Sequence, residues 1–313
     1  MGLNFELSDD QRAVLDAVDA LLARHAGPAR AAELAAKGAS DDALDAALAE
    51  AGFAEIALGE ETGALEAVLV TERVAKAAGS VAFAAGGLVA PLVAGRALAG
   101  PVALARADDA GPVRFAPAAR TLLLLDGDAA RSTPLAPGDV APVRSNFGYP
   151  VGRIAESARR RGDPLGAGSG ERLLAWWRIA LAAEALGAMD GALRFTVGYV
   201  TEREQFGRPI GSFQAVQHRL AECAVLVEGA RWLVYEAAAQ GAPGEAAACV
   251  AGFALTAAGR VHRETHQLSG AIGYTTEHAL HVWSMRLQAL RLELGGPGAQ
   301  LRALARERWS APA

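Results

Sequence analysis

The chain has 313 residues, enough to bury a substantial core and to hold two or three subdomains. Apolar residues make up 52%, much of it alanine, so the composition favours helix; a net charge of −5 argues against a generic nucleic-acid binder. The two cysteines, Cys223 and Cys249, cannot build a disulfide framework and read as buried free thiols in a reducing cytosol.

The first residues, MGLNFELSDDQ, are acidic and mixed, unlike a secretory signal, and Glu6 stands where a myristoylation motif after Gly2 wants Ser or Thr. The most apolar run, residues 81–95, contains Pro91 and three glycines and is closed by Arg96. A membrane helix needs about 20 apolar residues, so a soluble, cytoplasmic protein is expected.

Residues 1–100 read as a helical domain. Ser8 and Gln11 form a capping box, after which Leu15, Val18 and Leu22 make one apolar face. Ser40, Asp41 and Asp42 start a second helix ending near Gly52. A third runs from about Gly63 to Ala78, and a fourth covers residues 81–98.

Residues 101–170 change texture, with dense proline and glycine and short β-like runs at 102–104, 113–115 and 121–125. Asp126-Gly127 signals a turn after the last run. A small β module is expected, ending in a loop with Arg159, Arg160 and Arg161. That triplet reads as solvated rather than phosphate-binding, and Gly166 to Gly170 as a flexible hinge.

Residues 171–313 are helical again: 171–200, a helix capped by Ser212, then 244–269, 277–294 and 297–307, together a bundle. The corner between the first two, TEREQFGRPIGSFQAVQ, is the least generic stretch of the chain. The first helix should end near Gly207, with Pro209 beyond it. Arg203 and Arg208 can pair with phosphate oxygens, Phe206 offers a stacking face, and the Gln214 and Gln217 amides can read a ring edge. A nucleotide-containing anion would suit them, and so would plain water around a helix-loop-helix corner.

A second motif runs from His266 through Gln267, Gly270 and Gly273 to Glu277, where a helix ends in spaced glycines that allow close backbone approach. An ordinary glycine C-cap reads the same. His262 and His266 share a helix face, but Arg263 stands where a zinc-protease motif needs Glu, and no carboxylate or cysteine cluster completes a site, so no metal is expected. No Gly-x-Gly-x-x-Gly follows a strand, and neither a Walker loop nor Gly-x-Ser-x-Gly is present.

The run REQFGRPIGSFQAVQHRLAE closely resembles the signature of the acyl-CoA dehydrogenase family. The segment from Gln267 to Tyr274 resembles that family's Gln-x-x-Gly-Gly-x-Gly-Tyr, with Ala271 for the second glycine, and LSDDQRAV and AEAGFAEI resemble its N-terminal helical domain. The resemblance implies a mainly α, acyl-CoA dehydrogenase-like fold with an N-terminal helical domain, a reduced β module and a C-terminal helix bundle. It also implies an FAD whose ADP half is bound by Arg203, Phe206, Gln214, Gln267, Gly270 and Gly273, largely on behalf of a neighbouring subunit.

The chain departs from the family where the catalytic glutamate should be. Aligned on Gly273-Tyr274 that position falls on Leu294, and aligned on Arg286 it falls on Gly295; the other place used in the family falls on Trp177. None accepts a proton. Glu293 is adjacent, but one residue turns a helix by about 100°, so it should point elsewhere. Glu184, inside an apolar run, should pair with Arg178 or Arg231. The family's Thr-Glu-Pro and Gly-Ser-Asp flavin-ring segments are missing from residues 101–170.

The expectation is a short, non-catalytic subunit completing the FAD site of a full-length acyl-CoA dehydrogenase partner. It is similar to the short partners in actinobacterial complexes acting on steroid-derived or other bulky acyl-CoA thioesters. A two-plus-two heterotetramer and an electron-transferring flavoprotein as acceptor would follow. The alternatives are a competent homomer using Glu184 or Glu293 as base, and a flavin-free assembly partner.

Overall fold

The computed structural model describes residues 6–309, so the readings at Gly2 and the rest of 1–5 lie outside the described residues. The N-terminal part packs α1 (Asp9–His25), α2 (Pro28–Lys37), α3 (Asp42–Glu50), α4 (Ala64–Lys76) and α5 (Ala90–Ala94), the last preceded by a π-helical turn at Ala84–Val89. The capping box forms as expected: Ser8 Oγ accepts from the Gln11 amide at 3.1 Å, and Gln11 Oε1 accepts from the Ser8 amide at 3.0 Å. Asp41 caps α3 through the Leu44 amide. Helix α2 has no counterpart in the sequence reading, although Pro28 at its first turn and left-handed Gly38 at its end are ordinary helix signals.

The middle module holds β1 (Val102–Arg106), β2 (Val113–Arg114), β3 (Thr121–Asp126), β4 (Ala129–Pro134), β5 (Val140–Val143), β6 (Val151–Ile154), the short α6 (Glu156–Arg160) and β7 (Asp163–Pro164). One sheet has the order β1-β3-β4-β7, with β1 and β3 parallel, and a second has the antiparallel order β2-β6-β5. The four-leucine run of β3 is buried on both faces. Leu122 and Leu124 face the module's own core, while Leu123 and Leu125 join the main core with the helices.

The arginine triplet is not the solvated loop expected. Arg159 is buried and donates to the Ile154 and Arg106 carbonyls, while Arg160 pairs with Glu156 and Arg161 with Asp139. The Gly166–Gly170 stretch is also no free hinge. Ser169 Oγ accepts from the Ala130 amide at 3.0 Å, and a Cβ at Gly170 would stand 2.3 Å from the Asp128 carbonyl carbon. The module is thereby stitched to the start of the next helix.

That helix, α7 (Ser169–Glu202), is the axis of the molecule. Its 34 residues span about 50 Å at 1.5 Å per residue, and from Ala175 to Leu193 every residue is buried. Alanines and glycines let its neighbours approach. A Cβ at Gly187 would lie 2.2 Å from the Glu72 carbonyl oxygen of α4, and one at Gly191 would lie 2.4 Å from the Trp283 indole nitrogen. Around it stand α8 (Gln214–Ala239), α9 (Gly244–Ser269), α10 (Leu280–Leu290) and α11 (Gly296–Trp309).

Helix α7 stops at Glu202, earlier than expected. The link to α8 is a hairpin of β8 (Glu204–Gln205) and β9 (Arg208–Pro209). Ser212 does not cap α8: its hydroxyl donates to the Pro209 carbonyl at 2.7 Å, and Phe213 holds the cap position. Cys223 is buried, its thiol pushed up to about 11 by burial and then by Glu264, whereas Cys249 is only half-buried. Among the described residues no helix is long and apolar enough to cross a membrane.

Candidate functional site

Two places concentrate unusual chemistry. The first is a cleft of about 650 Å³ where β2, the loop at 143–149, α7 and the turn at 293–295 meet. Its walls are largely apolar, with Ala84, Val102, Leu104, Phe115 and Phe147 among them.

Its floor is charged. Arg114, from β2, forks onto Glu184 of α7 with both terminal nitrogens, at 3.0 and 2.8 Å, and its Nε donates to Glu293. The second Glu293 oxygen accepts from the Trp177 indole at 3.1 Å. The expected partners of Glu184 are engaged elsewhere: Arg178 holds Gln300 and Glu307, and Arg231 holds Glu72, Asp190 and Glu228. Pairing was the right kind of interaction, but the partner lies 70 residues away.

Glu293 does not point away, because the turn it sits on is not an α-helix. Glu293–Gly295 is a 3₁₀ turn in which Leu294 takes φ 50°, so the 100° step of a regular helix does not apply, and both residues line the cleft. Of the three positions aligned with a base, Trp177 and Leu294 line the cleft, with two carboxylates beside them, and Gly295 follows Leu294 in the same turn.

The carboxylates are already occupied. Burial works against the Arg114 charge, but Glu184 and Glu293 outweigh it and hold the guanidinium well above its ordinary range. The Tyr149 ring lies between two cations, with the Arg114 guanidinium carbon 4.7 Å from its centroid and that of Arg286 at 5.0 Å. Burial, then the Glu184 charge, pushes the Tyr149 phenol up to about 12, so it stays protonated. Arg286 is fully buried and donates to the Gly79 and Gly148 carbonyls.

The second place is the corner at the far end of α7. Phe206 and Gly207 form the hairpin tip with φ of 57° and 77°, a left-handed pair suited to a tight two-residue turn. A left-handed phenylalanine is a rare conformation, and its ring is 91% exposed. The tip is steadied from below: Phe206 meets Phe213 edge-on at 6.2 Å, and Arg208 lies 4.0 Å over the Phe213 ring. Gln217 uses its amide to hold the Gly211 carbonyl at 3.0 Å. Arg203 and Gln214 are exposed on either side of the tip.

The end of α9 lies at the same end of the bundle. Arg219 of α8 pairs with Glu264 of α9, and His278 packs against Phe195 and Tyr199 of α7. Here Gln267 and Gly270 are exposed, and Gly270 takes φ 64° with nothing within 4 Å of where a Cβ would stand. Gly273 is different. It is buried, and a Cβ there would lie 2.8 Å from the Ser269 side chain, so its backbone serves internal packing. The His262 and His266 rings pack at a tilt, 4.5 Å between centroids, and among the described residues no group of three or more His, Cys, Asp or Glu gathers around a metal position.

Sequence reasoning brought Arg203, Phe206, Gln214, Gln267 and Gly270 to one end of the bundle, exposed. It missed Arg114, for which an arginine inside a two-residue strand offers no local signal.

The chain matches the family model for the acyl-CoA dehydrogenase N-terminal domain over residues 8–97 and that for the C-terminal domain over residues 166–308. It is 31% identical to the acyl-CoA dehydrogenase IpdE2 of Mycobacterium tuberculosis, over 97% of this chain and 99% of that one. Among solved structures it is similar to a chain of the ChsE4-ChsE5 complex of Mycobacterium tuberculosis (TM-score 0.82, 24% identity, 99% of this chain and 100% of the other). A steroid ACAD, Tcur3481-Tcur3483, gives a TM-score of 0.84 at 24% identity over 97% and 99% of the two chains. The shared fold, the two domain matches and the full-length relative place the chain in the acyl-CoA dehydrogenase family.

Proposed function

We propose that this chain is the non-catalytic subunit of a heteromeric, FAD-dependent acyl-CoA dehydrogenase, and that it completes the partner's FAD site. The observation that carries the reading is the outward corner: Arg203, Phe206, Gln214, Gln267 and Gly270 stand exposed at one end of the bundle. A left-handed Phe206 presenting its whole ring to the outside is a costly conformation that a stacking ligand or partner would justify.

These groups fit the ADP half of FAD. Arg203 can pair with a pyrophosphate oxygen, the Phe206 ring can stack, the Gln214 and Gln267 amides can donate or accept, and the open Gly270 backbone lets a phosphate approach. When bound, FAD supplies hydride acceptance from the acyl chain. The proton acceptor would come from the partner, since Trp177, Leu294 and Gly295 occupy the aligned base positions and Arg114 holds the neighbouring carboxylates.

The likeness to a chain of the ChsE4-ChsE5 complex supports a heteromer, and the likeness to a steroid ACAD supports a bulky acyl-CoA thioester as substrate. A two-plus-two assembly passing electrons to an electron-transferring flavoprotein completes the proposal.

The test is a visible absorption spectrum of this chain alone and then co-expressed with a full-length acyl-CoA dehydrogenase. A colourless lone chain and a yellow complex are expected, with flavin retention reduced in an Arg203→Ala, Gln267→Ala complex. A lone chain that is yellow and bleaches on adding an acyl-CoA would overturn the reading.

A further inference from the structure

Two glutamates face the cleft of a chain read here as non-catalytic, and the reason they are unavailable is a single side chain. Glu184 arrives from the middle of α7, Glu293 from the turn before α11, and Arg114 from β2 of the middle module. The three meet on the floor of an otherwise largely apolar cleft, with side chains 10%, 19% and 16% exposed respectively. Every Arg114 nitrogen is spent: both terminal nitrogens on Glu184 and Nε on Glu293. The remaining Glu293 oxygen is taken by Trp177.

We propose that Arg114 is a mask: a positioning residue that converts two cleft glutamates from proton acceptors into fixed ion-pair partners. A carboxylate gripped by a guanidinium is a poor base, because accepting a proton would break the pair and leave the cation bare. A carboxylate in the same apolar cleft without a cation would instead hold a proton readily. The chain is thus latent with respect to proton transfer: it has carboxylates in the cleft and silences them with one residue.

Other charged groups do not duplicate the mask. Arg286 lies over the Tyr149 ring and donates from Nε and Nη1 to the Gly148 and Gly79 carbonyls; its other terminal nitrogen has no hydrogen-bond partner, so it bonds neither glutamate. Tyr149 is neutral between the two guanidiniums. Arg178 lies on the side of α7 that meets Gln300 and Glu307. Arg106 and Arg144 also line the cleft, Arg106 pairing with Asp108, and among the described residues Arg114 is the cation hydrogen-bonded to both glutamates.

This inference rests on the reading of the chain as the non-catalytic subunit, but its test is separate. Removing Arg114 alone strands two carboxylates and risks the fold, so the informative variant is Arg114→Met with Glu184→Gln, which leaves Glu293 as the one carboxylate of the trio. Infrared difference spectra against the Arg114→Met, Glu184→Gln, Glu293→Gln protein isolate the Glu293 carboxyl. In spectra recorded at neutral pH the double variant should show a protonated-carboxyl C=O band, since apolar surroundings disfavour an unpaired carboxylate. The wild type, compared with Glu293→Gln under the same conditions, should show no such band. Arg114→Lys with Glu184→Gln keeps the charge and should suppress the band again.

A double variant that shows no such band would sink the mask and leave Arg114 as a structural joint only. A lone yellow chain bleached by acyl-CoA would instead sink the proposed function, whatever the infrared spectra show.

Discussion

The cleft and the outward corner sit at different places on the same helix and treat polar groups in opposite ways. In the cleft, Arg114, Glu184, Glu293 and Trp177 satisfy one another inside the chain. At the corner, Phe206 is exposed in a left-handed conformation, and Arg203, Gln214 and Gln267 face outward. Buried charges must find partners within the fold or cost several kcal/mol, whereas exposed ones are free to be shared with another molecule. The chain therefore satisfies the charges of its cleft by itself, while the polar and aromatic groups of its corner stay exposed.

The comparison breaks most visibly if the cleft network is cut. Arg114→Met leaves Glu184 and Glu293 facing each other without a cation and should cost about 3 kcal/mol or more in urea unfolding. Adding Glu184→Gln and Glu293→Gln should restore most of that loss, because neutral amides of similar shape no longer repel. A single variant as stable as the wild type would mean that water already solvates the floor.

Glycines on α7 sharpen the same contrast with a smaller effect of changing sign. Gly187 is buried against α4, where a Cβ would lie 2.2 Å from the Glu72 carbonyl, so Gly187→Ala should cost about 1–3 kcal/mol by overpacking. Gly198, nearer the corner, is exposed with nothing within 4 Å. Gly198→Ala should therefore stabilise the lone chain by about 0.5–1 kcal/mol through helix propensity. Thermal melts of the two variants give the signs directly, and a loss at Gly198 would show that the outer end of α7 is more crowded than its geometry. Smaller still, the Arg203→Ala, Gln267→Ala chain should melt within about 0.5 kcal/mol of wild type when alone. That null result ties any loss of flavin in the complex to binding rather than folding.

What was legible in the sequence follows from how local each signal is. The Ser8 capping box, the Asp126-Gly127 turn and the limits of α9 are set by residues a few positions apart, and they form where expected. The corner was legible as a cluster, but its hairpin was not, because a left-handed Phe206 contradicts ordinary phenylalanine preference. Arg159 and Arg114 were misread or missed for one reason: a charged side chain from a short strand or loop finds its partners through tertiary packing. Glu293 was misplaced because one non-glycine residue, Leu294, takes a positive φ and breaks the helical geometry that the argument assumed.

The smallest effect at neutral pH concerns the end of α9, beside the corner. Burial, the neighbouring His266 and then Arg291 and Arg263 push the His262 imidazole down to about 4, against a raising contribution from the Ser284 backbone. His266 is lowered as well, chiefly by burial and by His278. A histidine whose folded value is depressed is neutral in the fold but protonated more readily once unfolded. Its neutral packing is thus fully stabilising above the unfolded value of about 6.5, and stability falls as pH drops toward about 4. The melting temperature of the lone chain should be nearly flat from pH 8 to about 7 and decline below about 6.5. His262→Gln, which cannot take the proton, should make that decline shallower while changing little at neutral pH. An unchanged acid slope in the variant would mean that His262 is already solvated enough to protonate in the fold, and that the end of α9 is as open to water as the corner beside it.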